Sequence, residues 1–447
     1  MTSMSSSPRA DGDTQPTDHR GAQTSPPVAQ TPSVQKPRSG LPSAAASADK
    51  PGVGGLLLVV LALLSAVAPF ATDLYLPAFP QMTVELQTSA TAVQLSLTAF
   101  LIGITLGQLV FGPMSDRFGR RGPLIAGATL CVAAGIVAVL APSIGVLVAA
   151  RFAQGLGGAA GMVIGRAIIS DLSEGRQAAR AFSLMMIVGG VAPVVAPLLG
   201  GLLVSPLGWR GVLGVVLAIS VLMLVSALTV IRETLPRSRR HGARNSSPRN
   251  GFSELLDVGF LGYSAAFAFA FAVMMSYISA SPFVYQDMMG LSSGVYGLMF
   301  GINALGLMAV SGLAARLSST RSLRGIVATG LIVMCLATAT FGVLVATGAP
   351  TGWLAVPLFV CVSSLGLVFG TATGLAMSHV GSAAGAASAV LGALQFGLGA
   401  LVSPLVSIRG SDTAGPLAIV MACCAAISVA AFVAAGRARG RIHDEAV

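Results

Sequence analysis

Long apolar stretches follow one another along this 447-residue chain from Val53 to about residue 436. A helix of about 20 apolar residues crosses the ~30 Å hydrocarbon core of a bilayer. Twelve stretches of this kind can be counted, and each predicts a transmembrane helix. The predicted spans are 53–76, 91–113, 123–141, 145–169, 180–204, 210–230, 258–281, 292–316, 323–347, 353–379, 384–408 and 413–436.

Polar sequence flanks these spans and divides them into two groups of six. Residues 1–52 are rich in Ser, Thr, Pro and Gln without an apolar period, which predicts a disordered cytoplasmic tail. The longest later interruption, 231–257, predicts a cytoplasmic linker between an N-terminal bundle, 53–230, and a C-terminal bundle, 258–436. Residues 437–447 are predicted to form a second cytoplasmic tail. The predicted fold is an all-α integral membrane protein with twelve transmembrane helices in two six-helix halves.

A faint repeat relates the two halves. GPMSDRFGRR at 112–121 aligns with GLAARLSSTR at 312–321, each following the second span of its half. The glycine and the final arginine persist, whereas Asp116 is replaced by Arg316 in the second copy. Duplication of this kind is typical of secondary transporters with a central cavity between the halves.

Composition excludes a water-soluble protein. Charged residues make up only 9% of the chain, against about 25% in an ordinary soluble domain. The net charge of +10 indicates topology rather than nucleic-acid binding, because 22 of the 26 Lys and Arg residues fall on one side of the twelve-span arrangement. The positive-inside rule makes that side cytoplasmic. We therefore predict a multi-pass protein of the inner (plasma) membrane with both termini in the cytoplasm and no nucleic-acid partner.

The sequence gives no indication of an enzyme, a cofactor or a metal. The two lysines, Lys36 and Lys50, lie outside any phosphate-binding loop, which excludes P-loop ATP hydrolysis. The five cysteines lie in apolar runs without neighbouring His ligands, so we interpret them as core residues. The spans also lack the clustered carboxylates or histidines that a membrane-embedded enzyme needs. A passive channel remains an alternative to a transporter.

The segment GQLVFGPMSDRFGRRG at 107–122 resembles the loop signature of the major facilitator superfamily. Asp116 can accept hydrogen bonds at a helix end, and Arg117 and Arg120 can bind acids or the phosphates of membrane lipid. The resemblance implies a gating role for these residues. A tight turn with ordinary positive-inside charge is the alternative, but it does not explain Asp116 among the arginines.

The fourth span, RFAQGLGGAAGMVIGRAIISDL at 151–172, resembles the fourth-helix motif of the same superfamily. Glycines recur along it at four-residue spacing and predict a close helix-packing face: Gly157, Gly161 and Gly165. At its inner end, Arg166 and Asp171 either pair with the Asp116 loop as part of the gate or anchor the helix at the interface.

The fifth span holds GGVAPVVAPLLGG at 189–201, which resembles the fifth-helix motif of exporters in this superfamily. Its second Ala-Pro pair is the variant of the bicyclomycin and chloramphenicol resistance (Bcr/CflA) subfamily of drug–proton antiporters. Prolines and glycines bend helices at close contacts, and the residues assigned here to gating are Gly190, Pro193, Pro197 and Gly201. Other segments also resemble this subfamily: TDLYLPAFP (72–80), SPFVYQ (281–286), FGINALGL (300–307) and ASAVLGALQFGLGAL (387–401).

Asp73 is the one carboxylate in the apolar part of a span that is not at a cytoplasmic end. Arg151 lies about 9 Å inside the fourth span, and an intramembrane arginine is costly unless it has a partner. A buried carboxyl group that faces an arginine can switch its protonation as the halves move. We predict that Asp73 carries a coupled proton and that Arg151 tunes it. The alternatives are solvation of Asp73 at the outer interface and snorkelling of Arg151.

Asn303 and Gln395 are lone polar residues in apolar spans, and they either line a substrate cavity or hydrogen-bond between helices. Together these patterns predict a secondary active transporter that works as a monomer. It would export lipophilic or amphiphilic small molecules in exchange for protons. An uptake symporter, or an exporter dedicated to one metabolite, is the alternative.

Overall fold

A computed structural model describes most of the chain. The predicted tail 1–52 and most of the predicted linker 231–257 lie outside the described residues. The described ranges are 55–173, 175–235, 256–380, 384–410 and 413–444. Within them, only the backbone is described for 175–190, 384–386, 388–389 and 438–444.

Helices make up almost all of the described chain, and those ranges contain no strand. In chain order the helices are α1 (Gly55–Asp73), α2 (Phe79–Glu85), α3 (Ala90–Phe118), α4 (Arg121–Val139), α5 (Ile144–Leu172), α6 (Gly175–Thr229), α7 (Val258–Pro282), α8 (Ser293–Leu317), α9 (Leu323–Ala346), α10 (Ala355–Met377), α11 (Ala384–Val402) and α12 (Gly415–Asp444). Short helical turns lie between some of them: 3₁₀ turns at Leu76–Ala78, Thr351–Leu354 and Ser403–Ser407, and a π turn at Phe283–Met288.

Eleven helical stretches in the described ranges are long and apolar enough to cross a membrane, where the sequence predicts twelve. The difference lies in α6, whose 55 residues would extend about 80 Å if straight, more than twice the hydrocarbon thickness. Gly208 interrupts α6 with a φ of 64°, a conformation that glycine adopts without steric cost. The predicted spans 180–204 and 210–230 lie on either side of this break, and the all-helical membrane fold is confirmed.

The last membrane span ends where the sequence predicts, but its helix continues beyond the span. The sequence predicts that the last span ends at residue 436 and that a polar tail, 437–447, follows. The stretch that is apolar enough to cross a membrane ends at Arg437, and α12 continues to Asp444. The added residues are mostly Arg, Ala and Gly with Ile and His. Ala and Arg have high helix propensities, although Arg is charged and Ala is small. Loss of hydrophobicity therefore ends the membrane span but not the helix.

In the described ranges, the most extensive packing of helices from the first set, α1–α6, on helices from the second set, α7–α12, is that of α6 on α8 and of α3 on α11. Inside the first set, the backbones of α3 and α5 touch. A Cβ atom on Gly103 would lie 2.2 Å from the carbonyl oxygen of Phe152, and one on Gly155 would lie 2.2 Å from that of Phe100. Only glycine permits this approach, so α3 and α5 form one tightly packed unit.

The glycine face predicted on α5 also packs closely, against other neighbours. A Cβ atom on Gly157 would lie 2.5 Å from the carbonyl oxygen of Gly127 on α4. One on Gly161 would lie 2.8 Å from that of Leu64 on α1. The predicted packing role is confirmed at both positions, and it places the middle of α5 against α4 and α1.

Among the described residues, the two sets touch at one end of the molecule, and a cavity lies between them at the other. Where α1 ends and α3 begins, the Leu76–Ala78 turn packs against α7 and α8. Gln286 donates a hydrogen bond to the carbonyl of Pro77 at 3.0 Å, and the rings of Phe79 and Phe283 lie 6.1 Å apart. We call this the closed end. At the opposite, open end, a cavity of about 380 Å³ lies between α3, α5 and α11.

Candidate functional site

A cluster of charged side chains lies at the open end, where α3 ends and α4 begins. Arg120 is buried, its Nη1 donates to Asp116 at 2.5 Å, and its Nε donates to Asp171 at 2.9 Å. Burial lowers the pKa of the Arg120 guanidinium, but the hydrogen bonds and charges of Asp171 and Asp116 raise it above its ordinary value. The guanidinium therefore stays charged. Three residues predicted to meet do so: Asp116, Arg120 and Asp171.

Glu233 completes this cluster, although the sequence analysis does not identify it. Its carboxylate accepts hydrogen bonds from the backbone N–H of Arg120 at 2.9 Å and of Arg121 at 3.3 Å. These groups lie at the N-terminus of α4, where the helix dipole favours a negative charge. Thr234 donates to Asp171 at 3.0 Å. The segment that follows α6 thus contacts the α3–α4 loop. In the sequence, the one signal for this contact is an acidic residue, Glu233, just after an apolar span.

Two other predicted arginines lie outside the cluster. Arg117 is exposed, with its guanidinium 5.4 Å from the ring centroid of Phe118. Arg166 is exposed on α5 and forms no ion pair with a carboxylate in the described ranges. It lines the open-end cavity together with Asp116. The remaining lining residues are mainly apolar or small: Thr105, Gln108, Leu109, Gly112, Pro113, Val163, Gly392 and Ala393.

Arg151 is 0% exposed, inside the first helix set. It donates to the backbone carbonyl of Ala71 at 2.5 Å and to the side chain of Gln154 at 2.7 Å. Its guanidinium carbon lies 4.4 Å from the ring centroid of Tyr75 and 4.2 Å from that of Phe100. Carbonyl groups in the last turn of a helix carry partial negative charge, and aromatic faces attract cations. These groups stabilise the charge, and the side chain does not snorkel to the surface.

Asp73 is the last residue of α1 and is 5% exposed. It lies two residues beyond Ala71, whose carbonyl binds Arg151. The structure does not bring Asp73 and Arg151 into an ion pair, because the two Nη atoms of Arg151 donate to Ala71 and Gln154 instead. Arg151 therefore contacts the turn of α1 that carries Asp73 rather than the carboxylate itself.

The proline–glycine motif of α6 lies where the two helix sets touch. A Cβ atom on Gly201 would lie 2.4 Å from the carbonyl oxygen of Ser293 on α8, and one on Gly297 would lie 2.6 Å from the carbonyl oxygen of Pro197. The Ser293 hydroxyl donates to the Gly201 carbonyl at 3.1 Å. A larger side chain at Gly201 would push the sets apart. Two other predicted residues lie earlier in α6, the second in the stretch described by its backbone alone: Pro193 and Gly190.

Asn303 bonds between helices, which is one of the two roles the sequence allows for it. Its Nδ2 donates to the hydroxyl of Tyr277 at 2.6 Å and to that of Tyr285 at 3.3 Å, and the side chain is buried. These tyrosines belong to α7 and the π turn that follows it, so Asn303 fixes α8 against them. Gln395 lies half-buried on α11.

Two sets of membrane-spanning helices, closed against each other at one end and separated by a largely apolar cavity at the other, define a transporter of small molecules. The chain belongs to the Major Facilitator Superfamily, whose family model matches residues 61–404. It is a multi-pass membrane transport protein rather than an enzyme.

Several curated proteins are similar to this chain over most of its length. It is 38% identical to the Uncharacterized MFS-type transporter YdgK of Bacillus subtilis, covering 84% of this chain and 94% of that protein. It is 29% identical to the Bicyclomycin resistance protein homolog of Haemophilus influenzae, covering 84% and 95%. It is 27% identical to the Multidrug resistance protein MdtL of Escherichia coli, covering 85% and 96%. These relatives confirm the resemblance to the bicyclomycin resistance subfamily.

Solved transporters share the fold. A D-xylose-proton symporter matches with a TM-score of 0.64 at 17% identity, covering 83% of this chain and 96% of that one. A bacterial homologue of the human lysosomal transporter Spinster, in an inward-facing conformation, matches with a TM-score of 0.66 at 17% identity, covering 86% and 96%. At these identities the likeness concerns the fold alone.

Proposed function

We propose that this transporter exports lipophilic or amphiphilic small molecules in exchange for protons. The observation that carries the proposal is the open-end cavity, whose wall is formed mainly by apolar and small side chains, with Asp116 and Arg166 among them. A wall of this kind discriminates weakly between compounds of similar shape. The names of two relatives, which refer to bicyclomycin and multidrug resistance, support export of drugs over export of one metabolite.

The open end is assigned to the cytoplasm. Arg120 and Arg121 lie at this end beside Glu233, whereas Arg210 and Arg409 lie at the closed end, the first bonded to Glu85 and the second just after the Ser403–Ser407 turn. The positive-inside rule then places both termini and the 231–257 linker in the cytoplasm. The structure corresponds in this proposal to the state that takes up substrate from inside the cell.

This orientation predicts opposite results for reporter fusions made after Arg240 and after Asp412. A fusion after Arg240 should give a fluorescent, cytoplasmic reporter, and alkaline phosphatase fused there should be inactive. After Asp412 the phosphatase should be active, because that position lies outside the cell. If both fusions report the same side, the arrangement of twelve spans is wrong.

Asp73 is assigned the coupled proton, with Arg151 as a positioning residue. Two observations support this: Asp73 is 5% exposed, and Arg151 binds the α1 turn that ends at Asp73. A movement of that turn relative to Arg151 changes the electric field at the carboxyl group and thus its affinity for a proton. Proton binding would in this way depend on the conformation of the helix sets.

Competition between unrelated compounds tests the breadth of the substrate range. A susceptibility panel on cells lacking and overproducing the protein first identifies a transported compound. Its radiolabelled form should then accumulate in inside-out vesicles when a proton gradient is imposed, and several structurally unrelated amphiphiles should reduce its flux by half or more. Transport of one compound without a competitor among diverse amphiphiles would favour the dedicated exporter.

The same vesicles separate export from the other modes of transport. Antiport predicts that uptake into inside-out vesicles saturates with substrate and stops when a protonophore collapses the gradient. Flux that does not saturate and ignores the gradient indicates a channel. Accumulation driven by the opposite gradient indicates an uptake symporter.

A further inference from the structure

A cluster of neutral polar side chains links α3 to the second helix set at the closed end. Gln94 is 0% exposed, and its Nε2 donates to the carbonyl of Ser279 at 3.0 Å and to the hydroxyl of Ser407 at 2.8 Å. One turn earlier, Thr91 donates to the carbonyl of Ser407 at 2.7 Å. The hydroxyl of Ser403 donates to that of Ser279 at 2.7 Å. We call these five residues the closed-end polar cluster.

Local backbone structure makes the acceptors of this cluster available. At the end of α7, the backbone N–H of Phe283 bonds to the carbonyl of Ala280, at the start of the π turn, and so the carbonyl of Ser279 is left to accept from Gln94. On the other side, α11 ends at Val402, and the 3₁₀ turn that follows presents Ser407 to α3. Both interruptions occur where helices of the two sets meet.

Gln94 joins α7 to the Ser403–Ser407 turn, although one of its own polar atoms has no hydrogen-bond partner among the described residues. Its Oε1 is buried and has no hydrogen-bond partner among the described residues. A buried polar network with one unpaired group is less stable than a fully paired one. The contact is therefore weaker than a fully paired network of the same groups would be.

We propose that Gln94 is the positioning residue that keeps the transport path shut at the closed end. Its amide bonds at once to α7 and to the Ser403–Ser407 turn, two separate elements of the second helix set. In alternating access, a path opens to one side at a time, so both bonds must break whenever the closed end opens. The inference rests on the transporter class alone and is independent of the proposed substrate and of proton coupling.

The test compares Gln94→Leu, which keeps side-chain volume but removes the donor, with the wild-type chain. Nitroxide labels are placed at Val84 and Ile408, which are 76% and 67% exposed on the two sides of the closed end, in a transport-active chain without native cysteines. Double electron–electron resonance then measures the distance between the labels without substrate or gradient. Loss of one or two buried hydrogen bonds should raise the ratio of open to closed molecules about tenfold.

Thr98→Val is the matched control, because Thr98 lies one turn further along α3 and its buried hydroxyl has no partner in the described ranges. It should leave the distance distribution unchanged. If Gln94→Leu does not fold, Ser407→Ala removes one of the two acceptors and should give a shift of about threefold. An unchanged distribution in the folded Gln94→Leu or Ser407→Ala protein overturns the proposal, as does an equal shift in Thr98→Val.

Discussion

Replacement of Asp73 by asparagine is expected to abolish proton-driven efflux and to leave substrate binding intact. An amide has nearly the shape of a protonated carboxyl group, but it cannot release a proton to the other side of the membrane. Asp73 is buried at the end of α1, so solvent cannot replace it as a carrier at that place. Efflux by Asp73→Asn should therefore fall to the rate that the wild-type protein shows without a gradient.

Two measurements in inside-out vesicles check this expectation. Gradient-driven uptake of a labelled substrate should disappear in Asp73→Asn, while exchange of labelled for unlabelled substrate without a gradient should persist. Asp287→Asn is the control, because Asp287 is an exposed carboxylate near the same end of the molecule, and it should transport at close to the wild-type rate. Gradient-driven efflux by Asp73→Asn at the wild-type rate would show that another group carries the proton.

Replacement of Arg120 by glutamine is expected to reduce transport by about two orders of magnitude. The change leaves the carboxylates of Asp116 and Asp171 close together without the cation that binds both. Asp116 is 56% exposed and Asp171 only 12%, so most of the loss comes from Asp171. Removal of one partner of a buried pair costs about 3 kcal/mol, which corresponds to a shift of roughly 100-fold between conformations.

A graded series of variants separates this contact from the general effect of positive charge. Asp116→Asn should impair transport less than Arg120→Gln, because it removes only the more exposed carboxylate. Arg117→Gln should have little effect, since Arg117 lies outside the cluster and contacts only the Phe118 ring among the contacts described. Immunoblots of membranes should show equal insertion of all three variants. If Arg117→Gln is as defective as Arg120→Gln, charge density on the loop explains the motif and the cluster does not.

The helical fold follows from the sequence because hydrocarbon leaves the backbone few alternatives. Each polar backbone group in the membrane must be paired within its own segment, so every long apolar stretch becomes a helix. The sequence says less about how neighbouring spans are connected. The hydrophobic pattern predicts a break between 204 and 210, but that the break falls at the single residue Gly208 depends on one backbone angle.

Side-chain contacts are predictable where depth in the membrane decides them, and less so where rotation about a helix axis does. Asp116 and Asp171 meet Arg120 because the C-terminal turns of α3 and α5 and the N-terminus of α4 lie at the same, open end of the molecule. Asp73 and Arg151 also lie at similar depth, yet the rotation of α5 directs the guanidinium to a backbone carbonyl. No sequence pattern indicates that a backbone carbonyl will be the hydrogen-bond partner of a charged side chain.

Gln94 could not be recognised from the sequence for a related reason. Its partners are 185 and 313 positions away in the chain, and isolated Gln, Ser and Thr residues are common in membrane helices. The contact is specific because the backbone at the π turn after α7 leaves the carbonyl of Ser279 available as an acceptor. Only the three-dimensional structure shows this.

Helix α3 carries Gln94 near its first turn and Asp116 near its last, about 33 Å apart along one helix. Backbone contacts with α5, at Gly103 and Gly155, hold α3 closely against that helix. Because one helix contributes to both ends, a ligand that shifts the equilibrium at one end is coupled to the other end, and the coupling free energy is the same in both directions. A compound bound beside Asp116 would thus shift the opening of the closed end by that coupling free energy, and opening of the closed end would change the affinity for the compound by the same factor.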